Sequence, residues 1–370
     1  MATESEASIA DSAPKPDARV GALDLYRGLA ILLVVLGHLF PSPVRREWPW
    51  TVVVYRFVYD FHMPLFFLLS GYLFHRKTLA GAASLSGWLS MLRGKARTLL
   101  VPYLAISVLS YAGLHVARSL GGRPAALLER AGYPETSLLE AVRQILTTRD
   151  HVDNHLWFVY CLFLVFAIAP PVDALRRRVG ELPLLCAAAL LGLAASLHVL
   201  PDAFALTQVG LYLFYFLLGG SFARRAGGLA GIPVSTPLLL LVFFVCNAAC
   251  VVLYLLLGGD RGMGPTRVAW ALLLLPTGAS AAILLFRLAV ALERTRLASV
   301  LASLGDYSYD IYLLHQPFLV SGGLGMLLFA FRVPLAVALP LAFLAGILVP
   351  VGVSRFALRR SRVLGLLVGR

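Results

Sequence analysis

The chain has 370 residues, of which 59% are apolar and 14% charged, with a mean hydropathy of +0.82. Soluble domains carry about 25% charged residues, and a soluble fold of this size has no interior able to hide so much apolar surface, so lipid is the solvent for most of the chain. Intrinsic disorder, a collagen-like fibre, a disulfide scaffold and a soluble nucleic-acid binder are excluded, because the net charge of +13 comes from arginines lying mostly between apolar runs, where topology signals sit.

Residues 1–21 are rich in Ala, Ser, Asp, Glu and Pro and lack periodicity, which predicts a flexible cytoplasmic leader. They lack the basic start and small-residue cleavage site of a signal peptide. A helix needs about 20 apolar residues to cross a hydrocarbon core of ~30 Å. That window predicts spans near 23–40, 52–74, 99–117, 155–173, 182–199, 204–223, 236–257, 268–288, 304–331 and 333–353. The ninth is too long for one straight pass and is expected to break near Ser321-Gly322-Gly323. The fold class expected is all-α, a polytopic membrane protein of about ten helices, one either way. Twenty basic residues fall on the segments that share a side with the N-terminus and eleven on the other, which predicts both termini in the cytoplasm. The longest outer loop, 118–154, carries helix formers (Ala125 to Glu129, Leu138 to Ile145) suited to an amphipathic helix at the outer interface, and residues 354–370 form a basic tail. Cys161, Cys186, Cys246 and Cys250 all lie in apolar runs and read as packing residues, with no metal pattern around them.

A charged side chain at mid-bilayer costs at least ~2.5–3.5 kcal/mol, so ionisable groups inside spans mark function by default. The first span holds Asp24, Arg27 and His38. Helical geometry puts Arg27 and His38 on nearly one face, about 16 Å apart, with Asp24 one turn before Arg27 to orient its guanidinium. Snorkelling to the two headgroup layers is the ordinary alternative; it loses ground because ionisable groups gather in neighbouring spans. In the second span Asp60 and His62 precede Pro64, which is expected to break the helix beside a cavity, and Ser70-Gly71 lets another backbone approach. Arg93, Lys95 and Arg97 open the third span and read either as topology anchors or as a clamp for phosphate oxygens. Trp157, at the start of the fourth, reads as an interfacial anchor. In the ninth, Ser308, Tyr312 and His315 share one face ahead of Pro317 and read as cavity wall.

Five phrases then resemble, in order and spacing, the membrane acyltransferase-3 family. They are Asp24…Arg27 with His38 eleven residues on, Phe61-His62-Met63-Pro64-Leu65-Phe66-Phe67 to Ser70-Gly71, Lys95-Ala96-Arg97 to Pro102-Tyr103, His155-Leu156-Trp157-Phe158, and Ser308 through His315. The resemblance implies a ten-helix domain over residues 22–353 that moves acyl groups, most often acetyl from cytoplasmic acetyl-CoA, onto hydroxyls of sugars, glycans or lipids. It implies His38 as the catalytic histidine and Arg27 as its paired arginine. It also implies a bare transferase without a soluble esterase-like extension. The arginine bias, with abundant Ala, Gly and Leu, points to a GC-rich bacterial genome and hence to a bacterial plasma membrane.

The reaction expected is transfer of an acyl group from acyl-CoA, as cosubstrate, to a hydroxyl of a cell-surface polysaccharide or lipid-linked sugar. No resident cofactor, metal or nucleic-acid partner is expected. Arg93, Lys95 and Arg97 would hold the CoA phosphates, the pantetheine arm would follow the first helix, and neutral His38 would take the acceptor proton. Asp24, His62, Ser70, Tyr312 and His315 would wall the cavity, with Tyr312, His62 and Ser70 as possible oxyanion donors. A transporter or flippase of a glycan or small anionic solute is the competing class, although no second half matches residues 23–103. A non-catalytic assembly subunit, in which His38 is dispensable, is the third.

Overall fold

Backbone groups in hydrocarbon find no water, so a chain this apolar satisfies them within helices. The computed structural model describes residues 16–370 except 83, 131, 132, 134, 150, 154 and 257–264; most of the expected leader, and Asn154, lie outside the described residues. Among the described residues there is no strand. The first half contains α1 (Pro16–His38), the short α2 (Ser42–Glu47), α3 (Thr51–Tyr59), α4 (His62–Lys77), α5 (Leu85–Lys95), α6 (Val101–Ser119), α7 (Gly122–Arg130) and α8 (Leu138–Thr147). The second contains α9 (Trp157–Val179), α10 (Glu181–Ser196), α11 (Leu206–Arg224), α12 (Thr236–Leu256), α13 (Pro265–Leu292), α14 (Ala298–Leu314), α15 (Phe318–Ala330), α16 (Leu335–Val353) and α17 (Arg362–Leu367). Eight stretches of the described residues are long and apolar enough to cross a membrane, and α14 with α15 makes a ninth, bent by 71°. The protein is all-α and multi-pass.

The structure corrects several expected boundaries. The second span is broken at Asp60-Phe61, between α3 and α4, and not at Pro64. Pro64 sits in the first turn of α4, where backbone N–H groups have no intrahelical acceptor and a proline costs nothing. The ninth span breaks at His315-Gln316-Pro317, ahead of the expected glycines, because Pro317 cannot continue the ladder of α14. Backbone through Ser321-Gly322-Gly323 stays helical. The third span is longer than expected: α5 runs through a wide π turn, Ala96–Leu100, straight into α6. α10, expected over 182–199, has 16 residues and falls short of a full crossing at 1.5 Å per residue. The 118–154 loop holds two helices, α7 and α8, and Ser137 caps α8 by accepting from the Glu140 amide.

Two glycine crossings set the positions of the polar residues. A Cβ on Gly28 of α1 would lie 2.1 Å from the Leu301 carbonyl oxygen, and one on Gly305 of α14 would lie 2.0 Å from that of Asp24. The two backbones therefore touch beside Arg27. Gly71 of α4 and Gly219 of α11 meet the carbonyls of Phe216 and Leu68 at 1.9 and 2.0 Å in the same way, the close approach expected of Ser70-Gly71. Small residues at helix crossings let van der Waals packing replace the missing hydrophobic drive inside lipid. Gly305→Ala is expected to destabilise the protein by about 1–3 kcal/mol through overpacking. Gly94→Ala, whose Cβ meets nothing within 4 Å, is expected to hold the melting temperature in detergent or raise it slightly through its better helix propensity. Equal melting temperatures for the two variants would contradict this account of the crossing.

Candidate active site

The last turn of α1 presents His38. Its Nδ1 lies 2.8 Å from the Val34 carbonyl oxygen. A carbonyl only accepts, so this bond places the proton on Nδ1 and leaves Nε2 with its lone pair. Three more imidazoles surround it. His315, at the end of α14, meets His38 edge-on with ring centres 4.9 Å apart; His155 lies at 6.2 Å and His62 at 6.4 Å. His62 and His315 are tethered as His38 is, through Nδ1 to the carbonyls of Val58 (3.1 Å) and of Tyr312 and Ile311 (2.8 and 3.0 Å). His155 is different: neither of its ring nitrogens has a hydrogen-bond partner among the described residues.

His38, His62 and His155 line a cavity of about 530 Å³, together with Tyr59, Asp153, Trp157, Tyr212, Tyr312 and Gln316. Trp157, expected as an interfacial anchor, forms part of this cavity's wall. It stacks on Tyr212 (5.2 Å, 22°) because α4, α9 and α11 converge there and an aromatic wall fills the gap. At the other end of α1, Arg27 donates to Asp24 at 2.8 Å and lines a second cavity of about 160 Å³ with Ser70, Leu99, Ser308 and Tyr309. Val34, Met63 and Tyr312 belong to the walls of both cavities. A third, of about 200 Å³, is lined by Arg56, Asp60, Arg267 and Trp270 and shares Tyr59 and Tyr212 with the first.

The sequence-predicted residues thus divide. His38, His62 and Tyr312 come together in the large cavity, and Arg27, Ser70 and Tyr312 in the small one. Asp24 positions Arg27, and His315 is fully buried behind His38 and His155 instead of lining either cavity. Arg93, Lys95 and Arg97 line neither. Arg93 is exposed, the Lys95 ammonium lies 4.0 Å from the centre of the Phe166 ring, and Arg97 donates to the Arg370 carbonyl at 3.1 Å. Tyr59, Tyr212 and Asp153 were missed. Tyr59 and Tyr212 look like ordinary apolar filling in a hydrophobic run, and Asp153 sits in a loop with no motif of its own.

The acyltransferase domain model of the acyltransferase-3 family matches residues 20–355. The chain belongs to the acyltransferase-3 family. Within the curated proteins this acyltransferase is 27% identical to the nodulation protein NolL of Sinorhizobium fredii over 306 residues, covering 78% of the chain and 75% of the relative. It is 23% identical to the protein of the same name from Mesorhizobium japonicum over 233 residues, 61% of the chain and 55% of the relative. No solved structure matches. Family membership decides for an enzyme of acyl transfer over a transporter.

Asp153 and His151, in the loop that enters α9, give the acyltransferase a signature in pH. Burial pushes the Asp153 carboxyl up from 3.8 to about 7, and burial pulls His151 down from 6.5 to about 4. Between pH 4 and 7 the folded state holds the Asp153 proton that the unfolded state has lost, so this group lowers stability as pH rises. Between pH 4 and 6.5 the unfolded state holds the His151 proton, so that group raises stability with pH, and the two offset. Asp153→Asn should expose the His151 contribution. Its melting temperature in detergent is expected to climb more steeply from pH 4 to 6.5 than that of wild type, and superimposable profiles would contradict the assignment.

Proposed function

We propose that the protein moves an acyl group, acetyl from acetyl-CoA, onto a hydroxyl of a cell-surface polysaccharide or lipid-linked sugar in a bacterial plasma membrane, with His38 as general base. The observation that carries this reading is the tether of His38 Nδ1 to Val34, which leaves the Nε2 lone pair free on a residue that lines the cavity of about 530 Å³. A pocket walled by Tyr59, Trp157 and Tyr212 offers flat apolar faces for a sugar ring and polar tips for its hydroxyls.

Nε2 takes the proton of the acceptor hydroxyl as its oxygen attacks the thioester carbonyl; the C–O bond forms, the C–S bond breaks, and the imidazolium returns the proton to the leaving thiolate. The products are an ester and free CoA thiol. Arg27, held by Asp24, supports a donor path from the opposite end of α1, and the exposed Arg93 and Arg97 would take the phosphates. Eleven helical residues separate Arg27 from His38, about 16 Å, and the pantetheine arm would cross the shared wall of Val34, Met63 and Tyr312.

Purified protein incubated with labelled acetyl-CoA and a glycan acceptor is expected to give labelled ester without a gradient. His38→Ala should lower the rate by about 10²–10⁴-fold with the melting temperature unchanged, and a fully active variant would refute the base assignment. Arg27→Ala should raise KM for acetyl-CoA more than it lowers kcat; an unchanged KM would refute the donor path.

A further inference from the structure

The tetrahedral intermediate needs a donor for its oxyanion, and three residues expected to supply one are committed elsewhere. The Tyr312 hydroxyl donates to the His155 carbonyl at 2.6 Å. His62 spends its N–H on Val58, so the nitrogen left to it only accepts, and His315 is in the same position. Ser70 lines the small cavity, which His38 does not.

His155 remains. It lines the large cavity, its ring centre is 6.2 Å from that of His38, and it is 5% exposed. Both ring nitrogens are buried without a partner among the described residues. An unpaired buried donor carries a cost of about 1–3 kcal/mol, and native structures keep such groups where a ligand or a catalytic role satisfies them. The Leu313 backbone lies near the ring but outside hydrogen-bond geometry, so little opposes rotation about Cβ–Cγ and one N–H can turn into the cavity. A neutral imidazole that must donate beside one that must accept is a division of labour set by the backbone: Val34 fixes His38 as acceptor at Nε2, and His155 has no hydrogen bond of that geometry.

We infer that His155 is a further catalytic residue, whose ring N–H donates to the acyl carbonyl oxygen as negative charge develops on it. This rests on the acyl-transfer reading with His38 as base. The carbonyl oxygen gains the electron pair of its π bond as the acceptor oxygen adds to carbon, the N–H stabilises it, and the pair returns when the C–S bond breaks.

The test uses the full chain purified in detergent, with acetyl-CoA and the acceptor on which wild type turns over, His155→Leu and His155→Gln being compared. His155→Leu is expected to lower kcat by roughly 10²–10³-fold, the usual effect of losing one oxyanion donor, with KM for acetyl-CoA within about threefold. His155→Gln, which restores a side-chain N–H, should recover at least tenfold of the loss. A His155→Leu kcat within threefold of wild type overturns the inference, as does a loss that His155→Gln does not restore in a protein with an unchanged melting temperature. Wild type that consumes no acetyl-CoA with any hydroxyl acceptor refutes the underlying transferase reading instead, and does so before any variant is made.

Discussion

One hydrogen bond inside one helix carries the chemistry of this site. His38 donates from Nδ1 to the carbonyl four residues back, using that oxygen's second lone pair. The bond locks the ring and leaves the opposite nitrogen basic. With the other tautomer the cavity would face a donor and no base. His62, His75 and His315 use the same contact to a carbonyl one turn earlier. In a bundle without water the backbone is the nearest acceptor, and it determines which face of each imidazole is reactive.

The bundle holds that ring in place by bringing backbones together. Gly28 against Gly305 presses α1 onto α14, so that Arg27 and the Ser308–Tyr312 face meet in one small cavity, while His38 and His315 meet farther along the same two helices. Charges inside the spans are paired: Arg27 with Asp24, Arg56 with Asp60, and Asp310 with Arg370 and the Ser354 hydroxyl. Pairing relieves the desolvation that an isolated charge would suffer in lipid. The imidazoles need no counter-charge, since a neutral ring with its N–H on a carbonyl is already satisfied on one side.

Much of this was legible in the residues. Arg27 and His38 announced themselves because ionisable groups are rare in spans and their spacing is helical, and the five phrases led to the family that the comparisons show. The all-α class followed from hydropathy alone. The misreadings have physical causes. Pro64 looked like a break because sequence does not reveal where a helix starts, and in a first turn proline is harmless. Trp157 looked like a membrane anchor because interfacial position and cavity wall call for the same residue. His315 read as cavity lining from its helical face, but the bend at Pro317 packs it behind His38. The orphaned nitrogens of His155 depend on every neighbouring donor and acceptor, which no pattern within one chain segment encodes.

The central claim is that one path joins a donor entering at the Arg27 end of α1 to an acceptor bound at the His38 end. Vesicles containing the protein in a single, protease-mapped orientation, with labelled acetyl-CoA on one side and a membrane-impermeant glycan acceptor on the other, test it directly. The account predicts labelled ester only when acetyl-CoA is on the Arg27 side and the acceptor on the His38 side. Equal product with both substrates confined to either single side would contradict it.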